Sequence, residues 1–252
     1  MQKVLIGKVA LVTGGSRGLG AVVAETLADQ GADIAISYVT SSDKAEAVVK
    51  KLKAKGGRAI AIQSDQADTT AAQPLIDKVM ANFGQLDILI NNAAILVQGK
   101  TIDAPDLDTV SLDRQWQINV MGAVATTRAA APVLTNGGRI IFIGSLLGTC
   151  VPFPGAADYA GTKAAITGYA RGAARDLGSR NITVNTVQPG VMPTDMATEV
   201  LGNNVPDALL DLHPIRRIAT LEEVAATVGF LVGPHGGYIT GAVIDVAGGA
   251  GI

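Results

Sequence analysis

The sequence predicts an α/β fold, a doubly wound parallel sheet of about seven strands with helices on both faces, in one domain covering residues 1–252. Three observations carry this expectation. Short apolar runs alternate with amphipathic stretches of helix length along the whole chain. The first apolar run passes directly into a cluster of glycines, and no stretch has the composition of a linker. Strand–helix–strand units of this length close as right-handed crossovers, which stack helices on both sides of a parallel sheet.

Lys8 to Thr13 enclose the run Val-Ala-Leu-Val, the mark of a central strand covered on both faces. Gly14-Gly15-Ser16-Arg17-Gly18-Leu19-Gly20 follows and opens an Ala-rich helix that stops near Gln30-Gly31, where glycine suits a helix C-terminus. Asp33 to Tyr38 is the second strand, and a Ser/Thr loop leads to a charged helix from about Asp43 to Lys55. Arg58 to Gln63 is the third strand, with Ser64-Asp65-Gln66 leaving its C-terminal end, and Ala71 to Phe83 is the next helix. Leu86 to Asn91 is the fourth strand and ends in Asn91-Asn92-Ala93-Ala94. Residues 95–110 read as a loop, and Leu112 to Leu134 as one long helix ended by Asn136-Gly137-Gly138. Arg139 to Ser145 is the fifth strand. Past a loop with Pro152 and Pro154, a helix runs from Asp158 to about Leu177, and Thr183 to Gln188 is a strand broken by Pro189-Gly190. The irregular stretch at about 192–217 holds two or three short helical pieces and is long enough to be a substrate lid. Leu221 to Val232 is the last helix and Ala242 to Val246 the last strand.

Composition narrows the function classes. Hydrophobic residues make up 48% of the chain and aromatics 4%, so Ala, Val, Ile and Leu must fill a core that needs neither disulfide nor metal. Twenty basic residues against 22 acidic ones argue against a nucleic-acid partner. Apolar runs such as Ile140 to Ile143 are far shorter than a membrane span. A single Cys150 and an N-terminus without a signal-sequence pattern fit a reducing cytoplasm. There is no metal-ligand spacing. Cys150, His213 and His235 read as ordinary packing or loop residues, with His213 the one of the two histidines that could reach a substrate.

Two stretches carry chemistry. A glycine turn between the first strand and its helix lets a pyrophosphate approach the backbone, where unpaired N–H groups and the positive end of the helix dipole meet it. An acid at the end of the second strand would bind a ribose diol and repel a 2′-phosphate. This chain has Ser37-Tyr38 there instead, with Arg17 in the loop and Thr40, Ser41 and Ser42 nearby as hydrogen-bond donors, which favours NADP(H) over NAD(H). Second, Tyr159 and Lys163 stand one helical turn apart, so an ammonium lies beside a phenol. The neighbouring cation is expected to favour the phenolate and bring the pair into range for proton transfer.

The ordered set Thr13-Gly14-x-x-x-Gly18-x-Gly20, Asn91-Asn92-Ala93-Ala94, Ser145 and Tyr159-x-x-x-Lys163 resembles the short-chain dehydrogenase/reductase family, whose fold is of the Rossmann type. Asn119, Pro189-Gly190 and the ending Gly241-Ala242-Val243-Ile244-Asp245 also fall where the family has them. The resemblance implies that Tyr159 is the general acid, Ser145 holds the substrate oxygen and Lys163 binds the nicotinamide ribose while favouring the tyrosinate. Asn119 would position a water in the proton relay. It places Gly14, Arg17, Gly18 and Leu19 on the pyrophosphate side and Asp65 and Gln66 at the adenine; Ser16, Tyr38, Thr40 and Ser41 are further candidate cofactor contacts read from the glycine turn and the end of the second strand. Asn91, Ala93 and Val191 would line the ribose and nicotinamide, with Pro189, Gly190 and Thr194 close by. Ala94 departs from the family's usual glycine and adds a methyl near the cofactor.

The implied function is a cytoplasmic NADPH-dependent carbonyl reductase that interconverts a ketone and a secondary alcohol. A 3-oxoacyl-carrier-protein reductase is the alternative within the family, and a non-catalytic dinucleotide sensor the alternative outside catalysis. The intact Ser145, Tyr159 and Lys163 speak against the sensor. Leu146, Leu147, Val151, Phe153 and Met192 suggest an apolar pocket for a hydrophobic ketone. Ala-rich helix faces and an apolar, glycine-rich C-terminus suggest an oligomer, and the family resemblance implies a homotetramer.

Overall fold

A computed structural model describes residues 3–202 and 205–252. Seven strands form one sheet in the order β3-β2-β1-β4-β5-β6-β7, and every pairing is parallel. The strands are β1 (Val9–Val12), β2 (Asp33–Tyr38), β3 (Ala59–Gln63), β4 (Leu86–Asn91), β5 (Leu134–Ile143), β6 (Thr183–Pro189) and β7 (Val243–Val246). Helices α1 (Gly18–Asp29), α2 (Ser42–Ala54) and α9 (Leu221–Val232) cover one face, where Val23, Leu27, Val49, Leu52, Val228 and Leu231 are buried together. Helices α3 (Ala72–Phe83), α5 (Ala123–Ala130) and α6 (Ala157–Leu177) cover the other, over Leu75, Val79, Ile166 and Ala170. The winding reverses between β1 and β4, so a crevice opens at their carboxyl ends, where sheets of this kind bind ligands.

The expected helix from Leu112 to Leu134 is not continuous. It begins earlier as α4 (Thr109–Trp116), where the Asp108 carboxylate accepts from Ser111 N, and widens into a π-type turn over Gln117–Gly122 before resuming as α5. Helix geometry ends at Ala130, and the Arg180 guanidinium takes the freed Ala131 carbonyl at 2.6 Å. Asn136-Gly137-Gly138 therefore lies inside β5 and does not end a helix. Leu134 pairs with Leu86 and Arg139 with Ile88, so the four residues between them on β5 oppose the single Asp87 of β4, and Gly137, at φ +78°, supplies the left-handed turn of that bulge. The segment at 192–217 contains two short helices, α7 (Asp195–Leu201) and α8 (Asp207–Leu210), with residues 203 and 204 outside the described residues.

At the opposite end of the sheet from the crevice, Asp87 is buried and receives Val9 N at 2.9 Å, Lys8 Nζ at 3.0 Å and Thr135 Oγ1 at 2.8 Å. Burial alone would raise this carboxyl, but the three donors outweigh it and hold it below the ordinary carboxylate value. A depressed folded-state value means that the contribution is complete above the unfolded value of about 3.9 and disappears as pH falls through the folded one. Asp87→Asn is expected to cost about 1.5 kcal/mol at neutral pH. Its penalty should vanish in acid, as urea unfolding at the two pH values will measure.

Candidate active site

The glycine turn is shaped by contacts that leave no room for side chains. A Cβ on Gly14, at φ +65°, would lie 2.9 Å from Ala93 Cα, and one on Gly20 would lie 2.5 Å from both Asn92 Nδ2 and the Gly14 carbonyl. Asn92 ties this turn to the end of β4, donating to Thr13 O at 2.8 Å, while Thr13 Oγ1 accepts from Asn92 N and Ala93 N at 3.0 and 3.1 Å. Ser37 Oγ is buried beneath and accepts from Gly14 N at 3.3 Å. Gly18 at φ +55° opens α1, with Arg17 extended at its N-cap and no side chain bonded to the first-turn N–H groups. Leu19 turns its side chain into the core, so only its backbone can face a ligand.

The sites expected for the adenosine half separate into surface and interior. Tyr38 ends β2 half-buried, Thr40 and Ser41 follow it at the rim, and Asp65 is half-exposed, accepting Ala67 N at 2.9 Å with Arg114 3.7 Å away. Gln66 is buried instead, packed on Gly122, where a Cβ would lie 2.1 Å from the Gln66 carbonyl oxygen. Asn91 likewise turns inward and donates to Thr127 Oγ1 at 2.9 Å, so its side chain links β4 to α5 and does not reach the crevice. Both were expected at the cofactor, and the side chains of both are buried.

Four side chains gather where β5 and α6 meet the crevice. Tyr159 and Lys163 sit one turn apart in the first half of α6, 8% and 3% exposed. Lys163 Nζ donates to the Ile143 carbonyl at 3.0 Å and lies 5.6 Å from the centre of the Tyr159 ring. Ser145, just past the end of β5, faces the same cavity as Tyr159, and its Oγ accepts Leu147 N at 3.2 Å. Asn119, 2% exposed, occupies the π-type turn; its side chain accepts Ile95 N and donates to Ile95 O, both at 2.9 Å, and also donates to Thr162 Oγ1 at 3.3 Å. A π-type turn displaces backbone carbonyls from the regular ladder, and such turns are frequent at functional sites.

The electrostatics correct one expectation. Burial pushes Tyr159 up to about 12, with the Ser145 hydroxyl acting in the opposite direction, and burial lowers Lys163 to about 8. Burial sets the direction for the phenol, and the neighbouring ammonium faces the ring and the Ile143 carbonyl. The phenol is held as a proton donor.

Ser145 and Tyr159 open on a cavity of about 160 Å³. Leu146, Leu147, Phe153 and Met192 line it as expected, together with Pro189, Gly190, Val191 and Thr194. Val151 does not; it is 49% exposed, on the outer side of its loop. The sequence reading missed Leu96, Met196, Leu209 and Leu212, which the folded 192–217 segment and the loop after β4 bring to the wall. It undervalued His213, which is buried at the cavity with Nδ1 2.9 Å from the Leu209 carbonyl. No local pattern marks these residues, although Gly122, a glycine inside an Ala-rich helix, was a visible signal of close packing.

A phosphate-bearing dinucleotide fits these residues. The glycine turn admits close backbone approach, the α1 N-terminus is free of a side-chain cap, and Arg17 and Lys44 are exposed beside it. Among the described residues there is no cluster of His, Cys, Asp or Glu fit for a metal, and no helix is long and apolar enough to cross a membrane.

A family model described as enoyl-(acyl carrier protein) reductase matches residues 14–251. A short-chain dehydrogenase from Burkholderia cenocepacia, solved in complex with NADP, is 46% identical with a TM-score of 0.93, over 99% of this chain and 100% of that one. Elsinochrome reductase 1 of Elsinoe fawcettii is 38% identical over 98% of this chain and 95% of its own length. A 3-oxoacyl-[acyl-carrier-protein] reductase of Staphylococcus aureus is 39% identical over 96% of this chain and 97% of its own.

Proposed function

The chain belongs to the short-chain dehydrogenase/reductase family, and from that premise we propose that it is an NADPH-dependent carbonyl reductase converting a ketone reversibly to a secondary alcohol. The observation that carries this reading is the opening of Ser145 and Tyr159 on an apolar cavity at the end of the glycine-turn crevice, with Lys163 buried one helical turn from Tyr159. NADPH, when bound, supplies the hydride. Tyr159 donates the proton to the carbonyl oxygen, and Ser145 holds that oxygen in place. Lys163 compensates the tyrosinate left behind, while Asn119 keeps the carbonyls of its turn available to a water relay. Gly14, Ser16, Gly18 and the Leu19 backbone hold the pyrophosphate, and Pro189, Gly190, Val191 and Thr194 border the nicotinamide.

Leu146, Leu147, Phe153 and Met192 favour a hydrophobic ketone, and the 192–217 segment acts as the lid over it. The similarity to a 3-oxoacyl-[acyl-carrier-protein] reductase keeps carrier-bound 3-oxoacyl substrates as the second reading. A panel of aryl ketones, alicyclic ketones and 3-oxoacyl thioesters, followed by NADPH oxidation, tests both, and no turnover of any carbonyl would overturn the assignment. Arg17→Ala is expected to raise KM for NADPH about tenfold and leave KM for NADH unchanged, since it removes a charge-assisted phosphate contact. We place the enzyme in the cytoplasm, in keeping with its single Cys150, and as a homotetramer; exposed Phe230, Tyr238 and Ile252 support assembly. Light scattering that gives a monomer mass would refute the tetramer.

A further inference from the structure

We propose that Asp195 is an internal stand-in for the cofactor's 2′-phosphate, held by Arg17 and Lys44 until NADP(H) displaces it. This rests on the NADP(H) reading above and goes further in assigning Lys44 to phosphate recognition and Asp195 to competition with it. Arg17 Nη1 lies 3.1 Å and Lys44 Nζ 3.9 Å from the same oxygen, Oδ2 of Asp195. The three come from distant parts of the chain: the N-cap of α1, the first turn of α2 and the start of α7. Two cations turned toward one point beside the glycine turn form a seat for an anion.

The seat suits a phosphate better than the carboxylate that occupies it. All three side chains are more than half exposed, so the pairs are weak and exchangeable. A phosphate monoester carries between one and two negative charges at neutral pH and offers three acceptor oxygens, enough to satisfy both cations. A carboxylate remaining in place would repel it. Asp195 must therefore leave, and it is joined to the substrate site: Thr194, Met196 and Ala197 all line the cavity, and Thr194 Cγ2 lies 3.8 Å from where a Gly18 Cβ would be. Arrival of the 2′-phosphate thus frees the start of α7, a wall of the substrate cavity, and a cofactor lacking that phosphate does not.

Equilibrium titrations of NADPH and NADH, read by the fluorescence of the bound dihydronicotinamide, test this without turnover. Asp195→Asn is expected to tighten NADPH roughly fivefold, the scale of losing a competitor held by exposed ion pairs, with NADH unchanged. Lys44→Gln should weaken NADPH by a similar factor and spare NADH. An unchanged or weaker NADPH Kd in Asp195→Asn overturns the competition, and equal effects of Lys44→Gln on both cofactors overturn its phosphate role. Failure of the cofactor reading itself looks different: the unaltered protein would then bind NADH at least as tightly as NADPH, and the inference would fall with it.

Discussion

Tyr159→Phe is expected to lower kcat for ketone reduction by roughly 10²–10⁴-fold, the contribution of a positioned proton donor, while the Kd for NADPH stays where it was. The substitution removes one hydroxyl from a ring that remains packed in α6, so a loss of folding would not explain the result. Full activity in the variant would remove Tyr159 from the mechanism. The pH dependence follows from burial. With Tyr159 held up to about 12, its proton stays in place through the neutral range, and Lys163, lowered to about 8, titrates first. Reduction should therefore decline as pH rises through about 8, when Lys163 loses the charge that compensates the forming tyrosinate. A profile flat to well above that value would remove Lys163 from this role.

The second large effect is structural. Gly122→Ala is expected to cost about 3 kcal/mol, at the upper end of the overpacking range, and to lower Tm by roughly 6–12 °C in a domain of this size. A methyl there would meet the Gln66 carbonyl oxygen at 2.1 Å, and this neighbour is backbone that cannot rotate away. The widened turn of Gln117–Gly122 holds Asn119, so the strain acts on the same loop that sets the relay. Calorimetry reads the shift, and an unchanged Tm would mean that the close contact with Gln66 is not needed.

Most of the fold was legible because each strand carries its own signal. Val9 to Val12, Ile34 to Ile36 and Ile140 to Ile143 are continuous apolar runs, as strands covered on both faces must be. The stretch from Leu112 to Leu134 misled for a physical reason. Helix periodicity persists through a π-type turn, and nothing local announces that Arg180, far along the chain, takes the Ala131 carbonyl where the helix stops.

The site divides in the same way. Gly14 to Gly20, Ser145, Tyr159 and Lys163 form a set whose order and spacing the chain displays directly, because a strand–turn–helix and a one-turn pair are local geometries. The sequence by itself thus determined the sheet, the glycine turn and the identity of the proton-handling residues. Tertiary structure alone decided that Tyr159 is held as an acid, that Val151 faces outward while His213 faces the cavity, and that Arg17 meets Asp195 across 178 positions of chain. Desolvation and long-range charge pairing depend on what the folded chain packs around a residue, and that information is not carried by the few residues on either side of it.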